Sequence, residues 1–491
     1  MLKQLPPEHW DYSTAAHLLN RAGFGGNPRE IEKLLDTGLE KAVAQLVDYE
    51  QLEDPTPNPE WAKPDPERLE KLQKARQADE PTRRGIQMEE QRLQRQRLLE
   101  LKFWWLQRMA QGPRPLQEKM TLFWHGHFAT SMQKVRDAYL MWKQNEVFRQ
   151  GATGNWQELL LAVGKDPAML VWLDQAQSRK DHPNENFARE VMELFALGEG
   201  HYTEKDVTEA ARAFTGWSLD RVTQQFIQRP GMHDSNLKTV LGRTGNLNGT
   251  DVIRLIASHP QSARFITAKL WRFFAGTEPS EPLIHKLAEA FTKGAHQFKP
   301  VLKVMFQSEE FYASDVIRNQ VKSPVQWLVG TVKVLERPLP PPFVCFGLTR
   351  NLGQDLFAPP NVKGWDGGLS WITTNNLLAR YNEAAMLVKG DLSLLKGLGL
   401  GPGAPNNPQM QQRLQDAKLR PVRLEKLLTA EERADKDKLL AALERRLLQA
   451  RFSPKQEKTL REFLDSQEQL NGAVILDTIR LMMSTPDYQL T

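Results

Sequence analysis

The chain has 491 residues, 65 lysines and arginines against 60 aspartates and glutamates, a formal net charge of +5, and one cysteine, Cys345. That length supports a large buried core, read as two or three domains or one large helical body with insertions. One cysteine excludes an intrachain disulfide and a multi-cysteine zinc site, and the thin charge margin does not force the dense basic face of a duplex-binding protein.

No run reaches ~18 continuous apolar residues, so no membrane-spanning helix is expected. The amino end, "MLKQLPPEHWDYSTAAHLL", has no apolar signal-peptide core, so the sequence as written predicts a soluble, cytoplasmic protein.

Helical periodicity dominates, and the predicted fold class is mainly α with short or no β pieces. "STAAHLLNRAGFGG" predicts a helix capped by Ser13 or Thr14 and ended by glycines. "NPREIEKLLDTGLEKAVAQLVDYE" predicts the next, with Asn27 as cap and Pro28 in the first turn. These helices form the expected N-terminal part, 1–52. Residues 53–110 are expected to be a proline-rich linker followed by a charged helical insertion, broken near Pro81 and Gly85. Glu67–Lys71 and Glu70–Lys74 have the i,i+4 spacing of helix ion pairs. Leu98, Leu101, Trp105 and Met109 form an apolar stripe that would dock on the body.

Residues 111–390 are the expected main body. Within it "SPVQ", 323–326, predicts a helix start at Ser323. "TVLG" and "SWITT" are the candidate strands. A Gly/Pro linker is expected over 391–409, with "GLGLGPGAPNNP" at its centre. C-terminal helices are expected over 410–491, two of them opened by the capping boxes "TAEE" and "SPKQ".

Four stretches concentrate polar chemistry. In "FWHGHF" the histidines His125 and His127 lie two apart. On one helix they point ~200° from each other, so joint ligation needs a break, which Gly126 would allow. The alternative is one core histidine, continuing the face of Leu116, Met120 and Phe123, and one surface histidine. In "HPNENFAREVMELFALGEGHYTEKDVTEAARAFTGW", Asn184 predicts a helix to about Leu197. It sets Asn186, Glu190 and Glu193 on one face and pairs Glu185 with Arg189. "TEKD", with Asp206, opens a second helix carrying Glu209 and Arg212. Two carboxylates and an asparagine on one face suit metal ligation or acid–base work, and equally a solvated, salt-bridged face. "GMHDSNLKTVLG" holds His233, Asp234 and Lys238, a proton-relay or ligand pair or a plain turn. "APPNVKGWDGGLSWITTNNLLARYN" brings Asn361, Trp365 and Trp371 into a Gly/Pro-rich loop suited to a pocket wall.

The sequence has no H-E-x-x-H, no G-x-S-x-G, no Walker A run and no Glu-x-x-His pair of the di-iron type. "GLGLGPGA" matches G-x-G-x-x-A only formally, because no strand precedes it. Interleaved glutamates and glutamines make Arg83, Arg84, Arg92, Arg95 and Arg97 a solvated helix face, so nucleic acid is not an expected partner.

Together "HLLNRAGFGG", "FWHGHF", "NENFAREVMELFALGEGHYTEKDVTEAARAFTGW", "HDSNLKTVLG", "KSPVQWLV", "FAPPNVKGWDGGLSWITTNNLLAR" and the closing "STPDYQL" resemble the bacterial domain-of-unknown-function 1800 family, over almost the whole chain. The resemblance implies a mostly helical body and no settled reaction. It also implies frequent export and an alkaline-phosphatase-like partner from a neighbouring gene. The absence of a leader here departs from that pattern.

The leading expectation is one polar pocket. His125, His127, His233 and Asp234 would be metal ligands, with zinc as the divalent ion imidazoles favour. Glu190, Glu193, Asn186, Arg189, Asp206 and Arg212 would be the acid–base groups, and Trp124, Trp217, Lys238, Asn361 and Trp365 the wall. Its chemistry would be metal-assisted or acid–base hydrolysis, with a glycan as one substrate class. The alternative is a non-enzymatic helical scaffold or partner-binding protein whose polar clusters fix helix packing.

Overall fold

A computed structural model describes residues 2–391 and 419–491. The predicted Gly/Pro stretch 397–408 lies outside the described residues. Among them the fold is mainly α, with two small two-stranded antiparallel sheets, Trp217–Asp220 with Gln225–Gln228 and Lys238–Val240 with Arg243–Gly245. Among the described residues no helix is long and apolar enough to cross a membrane.

Local chemistry explains many helix starts. Asn27 accepts from the Glu30 amide while Glu30 reaches back, and Pro28 opens the helix Pro28–Thr37. Ser323 and Gln326 form the same reciprocal pair ahead of Pro324–Val334, as do Thr203 with Asp206, Thr429 with Glu432 and Ser453 with Gln456. The first helix starts earlier than expected, at Tyr12, because Asp11 is its cap and Thr14 its partner. Gly38 divides the second predicted helix into Pro28–Thr37 and Leu39–Val47. In the charged insertion the break falls at Ala78 and Asp79. Pro81 then sits in the first turn of the long helix Glu80–Gln111, which runs through Gly85 unbroken. Both expected ion pairs form, Glu67–Lys71 at 3.4 Å and Glu70–Lys74 at 2.7 Å. "TVLG" overlaps the short strand Lys238–Val240, whereas "SWITT" holds a 3-10 turn rather than a strand.

Two large apolar clusters form the interior. One gathers Trp124, Phe128, Trp156, Phe195 and Phe214. The other gathers Trp105, Trp327, Cys345, Met386 and Ile479, and the Leu101–Trp105–Met109 stripe docks there as expected. The helix Pro115–His127 lies between them. Met120, Phe123 and Trp124 enter the first cluster and Leu122 enters the second.

Candidate functional site

The His-Gly-His stretch does not break the helix: Pro115–His127 runs through Gly126. The two imidazoles therefore point apart, and both are buried, so the reading of one core and one surface histidine is corrected too. His125 packs edge-on against Trp105 and beside Phe357, and its Nε2 accepts from the Phe357 amide at 3.0 Å. An amide can only donate there, so the proton of neutral His125 sits on Nδ1. Burial, helped by Lys102, pushes its pKa down to about 3.

His127 faces the other way and stacks on Phe123. Its Nε2 lies 2.9 Å from the Phe195 carbonyl oxygen, so Nε2 carries the proton and donates. Nδ1 is then an acceptor, and Lys269 Nζ donates to it at 3.2 Å. Lys269 also donates to the Leu194 carbonyl at 3.1 Å. Burial, and next the Lys269 charge, hold His127 well below the ordinary histidine range. Burial, and then Arg272, bring Lys269 down to about 8.

A change of helix type supplies the two carbonyls. The predicted helix from Asn184 is α-helical over Glu185–Glu190 and π-helical over Val191–Leu197. The wider turn redirects backbone acceptors, and such segments are frequent at functional sites. Leu194 and Phe195 lie within it, opposite Lys269 on the helix Pro260–Ala275.

His127 and Lys269 open on a cavity of about 360 Å³. Its remaining wall includes Arg272, Phe273, Gln326, Trp365, Asp366 and Trp371. The loop carrying Trp365 approaches the helix through Gly364, whose backbone packs on that of Gly126. Trp365 also tilts against His125 from the same loop.

The other predicted residues sit elsewhere. His233 borders a separate cavity of about 500 Å³ beside Trp217, and its Nδ1 bonds the Thr215 carbonyl at 3.0 Å. Asp234 accepts from Arg212 at 2.7 Å, and Arg212 also grips Glu209. Lys238 is buried and donates to the Asn236 carbonyl at 2.9 Å. Asp206 caps its own helix and accepts from the Leu241 amide. Arg189 pairs with Glu204 through both terminal nitrogens at 2.7 Å, replacing the expected Glu185 pair; Glu185 instead accepts from Thr208. Asn186 is exposed. Glu190 and Glu193 are half-buried; Glu193 accepts from the Tyr202 hydroxyl, and burial together with Glu193 raises Glu190. Trp124 is a core residue donating to Ala152, and Asn361 is an exposed turn residue whose side chain accepts from Lys363.

The expected metal set of His125, His127, His233 and Asp234 is thus not assembled. Each donor is engaged by a different neighbour, and among the described residues no group of three or more histidine, cysteine, aspartate or glutamate side chains is placed to hold a metal ion. Lys269, Arg272 and Asp366 are not among the expected pocket residues, whereas Trp371 belongs to the loop expected to supply a wall. The only signal for Lys269 is that it stands, with Arg272, in the otherwise largely apolar run "ITAKLWRFF".

A family model described as "Protein of unknown function (DUF1800)" matches residues 17–490, the family that the motif blocks resemble. No curated protein and no solved structure matches the chain.

Proposed function

The chain belongs to this family of proteins of unknown function, DUF1800, and its matched span takes in every wall of the 360 Å³ cavity; on that premise we propose that the cavity binds an organic ligand and that Lys269 and His127 serve it as a proton-transfer pair. The observation that carries the reading is that this hydrogen-bonded pair opens on the cavity beside Trp365, whereas His125, His233, Asp234, Arg189 and Arg212 are engaged away from it. The volume suits a small organic molecule, and Trp365, Trp371 and Phe273 offer apolar faces around a few polar groups. Lys269, with a pKa of about 8, exchanges a proton near neutral pH. In the hydrolytic form of this reading, with a glycan as one substrate class, the indoles would stack the sugar. Glu190, raised by burial and by Glu193, is the acid this form would draw on, from outside the cavity lining.

One observation favours a second reading, a helical scaffold acting with an alkaline-phosphatase-like partner. Arg212 with Asp234 and Glu209 forms a partly buried ion-pair cluster of the kind that fixes packing.

The two readings part in a fluorescence titration with 1-anilinonaphthalene-8-sulfonate, an aromatic anion small enough for the cavity. A Cβ added at Gly126 meets nothing within 4 Å, and Gly126 lines the cavity. Gly126→Leu should therefore fill the site while removing a helix-interior glycine, a change that favours the helix by up to about 1 kcal/mol. The cavity reading expects one saturable site in the wild type, weakened at least about tenfold by Gly126→Leu. Equal binding by both proteins contradicts it and favours the scaffold.

A further inference from the structure

We propose that Lys269 is a carbonyl-reactive amine: held at the cavity wall by the Leu194 carbonyl and the His127 imidazole, with no carboxylate paired to it, it condenses with an aldehyde or ketone group of a bound ligand. The inference deepens the cavity reading and rests on it.

Several buried cations among the described residues meet carboxylates. Lys102 has Asp355, Arg108 and Arg149 share Glu118, and Arg446 has Glu336. Other lysines with little exposure donate only to neutral acceptors, buried Lys238 to the Asn236 carbonyl among them. Lys119 donates to the Asn20 and Gly23 carbonyls, Lys322 to the Tyr488 carbonyl, and Lys269 to Leu194 and His127. Of these only Lys269 lines the 360 Å³ cavity; Lys322 borders one of about 30 Å³.

The donor count fits a neutral amine. An uncharged –NH2 has two hydrogens, and two protein acceptors take them. Its lone pair is then left for the cavity, where an ammonium would have a third N–H without a protein acceptor. The charged groups facing it are Arg272, one turn along its own helix, and Asp366 on the loop across the cavity. Phe265, with its ring centroid 4.7 Å from Nζ, favours the cation, while burial and Arg272 disfavour it. Lysines set in this way are the ones that attack carbonyls.

The step balances without an oxidant or reductant. The Nζ lone pair forms the C–N bond as the C=O π pair moves to oxygen. Nδ1 of His127, already facing Nζ, carries a proton from nitrogen to that oxygen. The second nitrogen proton leaves with the hydroxyl group as water, giving the C=N bond. Nε2–H stays on the Phe195 carbonyl throughout, which fixes the ring.

The test uses the full chain at neutral pH with acetaldehyde as carbonyl probe and cyanoborohydride to reduce any imine. Peptide mass mapping then gives an ethylation rate for each lysine. Lys269 should be ethylated at least about tenfold faster than exposed Lys286 and Lys455, since a lower pKa leaves more free amine. His127→Gln should slow Lys269 and leave Lys286 unchanged, which loss of packing alone would not do. Ethylation of Lys269 no faster than that of Lys286 overturns the proposal. If 1-anilinonaphthalene-8-sulfonate still saturates one Gly126→Leu-sensitive site, the cavity reading survives that failure; if it does not, both fall.

Discussion

Replacing Glu118 by leucine should cost about 3–5 kcal/mol of folding stability, read as a lower denaturant midpoint followed by tryptophan fluorescence. Glu118 is fully buried and accepts from Trp105 Nε1, Arg108 Nε and Arg149 Nε, each at 2.8 Å, and from Arg149 Nη2 at 3.0 Å. Burial pushes its carboxyl up, but the two guanidiniums outweigh it and hold it below the usual range. Removing the carboxylate leaves two buried cations with less compensation: Arg108 keeps Asp54, and Arg149 keeps Glu146 and Asn145. Because the folded pKa is depressed, this contribution is complete above the unfolded glutamate pKa and fades as pH falls through the folded value. The wild-type advantage over Glu118→Leu should therefore shrink in acid. A cost under about 1 kcal/mol near neutral pH would mean that the remaining acids suffice and that the network is not central.

Gly364→Ala should cost at least about 2 kcal/mol and widen the 360 Å³ cavity. Gly364 has φ +86°, and a Cβ there would overlap the Gly126 carbonyl oxygen, a backbone atom that cannot swing aside. Gly38 separates the two causes: its φ is +77° but a Cβ there meets nothing within 4 Å. Gly38→Ala should therefore lose only the roughly 1–2 kcal/mol of left-handed strain. Equal losses in the two variants, by denaturant unfolding, would show that the 364–371 loop is not held by its contact with the Pro115–His127 helix.

The legible parts of this fold are local. Asn27 with Glu30, Thr203 with Asp206 and Ser323 with Gln326 close within one helical turn, so spacing alone predicts them. Other features depend on partners distant in sequence. Gly126 reads as a helix breaker, but the helix continues through it, and it is Gly364 whose own Cβ would run into the Gly126 carbonyl oxygen. Arg189 matches Glu185 by spacing, but Glu204 offers both oxygens in a bidentate pair. The cavity was legible from one side only, through His127 and Trp365. Lys269 acquires its role from carbonyls of a π-helical segment more than 70 residues earlier, at Leu194 and Phe195, and no residue pattern near Lys269 announces them. The expected joining of His125, His127 and His233 failed because an unbroken helix sends its two imidazoles to opposite sides.

The most direct measurement is a crystal structure of the protein soaked with 1-anilinonaphthalene-8-sulfonate. The account predicts the naphthalene ring against Trp365 or Trp371, with the sulfonate within hydrogen-bonding distance of Lys269 or Arg272. A probe ordered only at other surfaces, with the Trp365 loop collapsed onto Lys269, would contradict it.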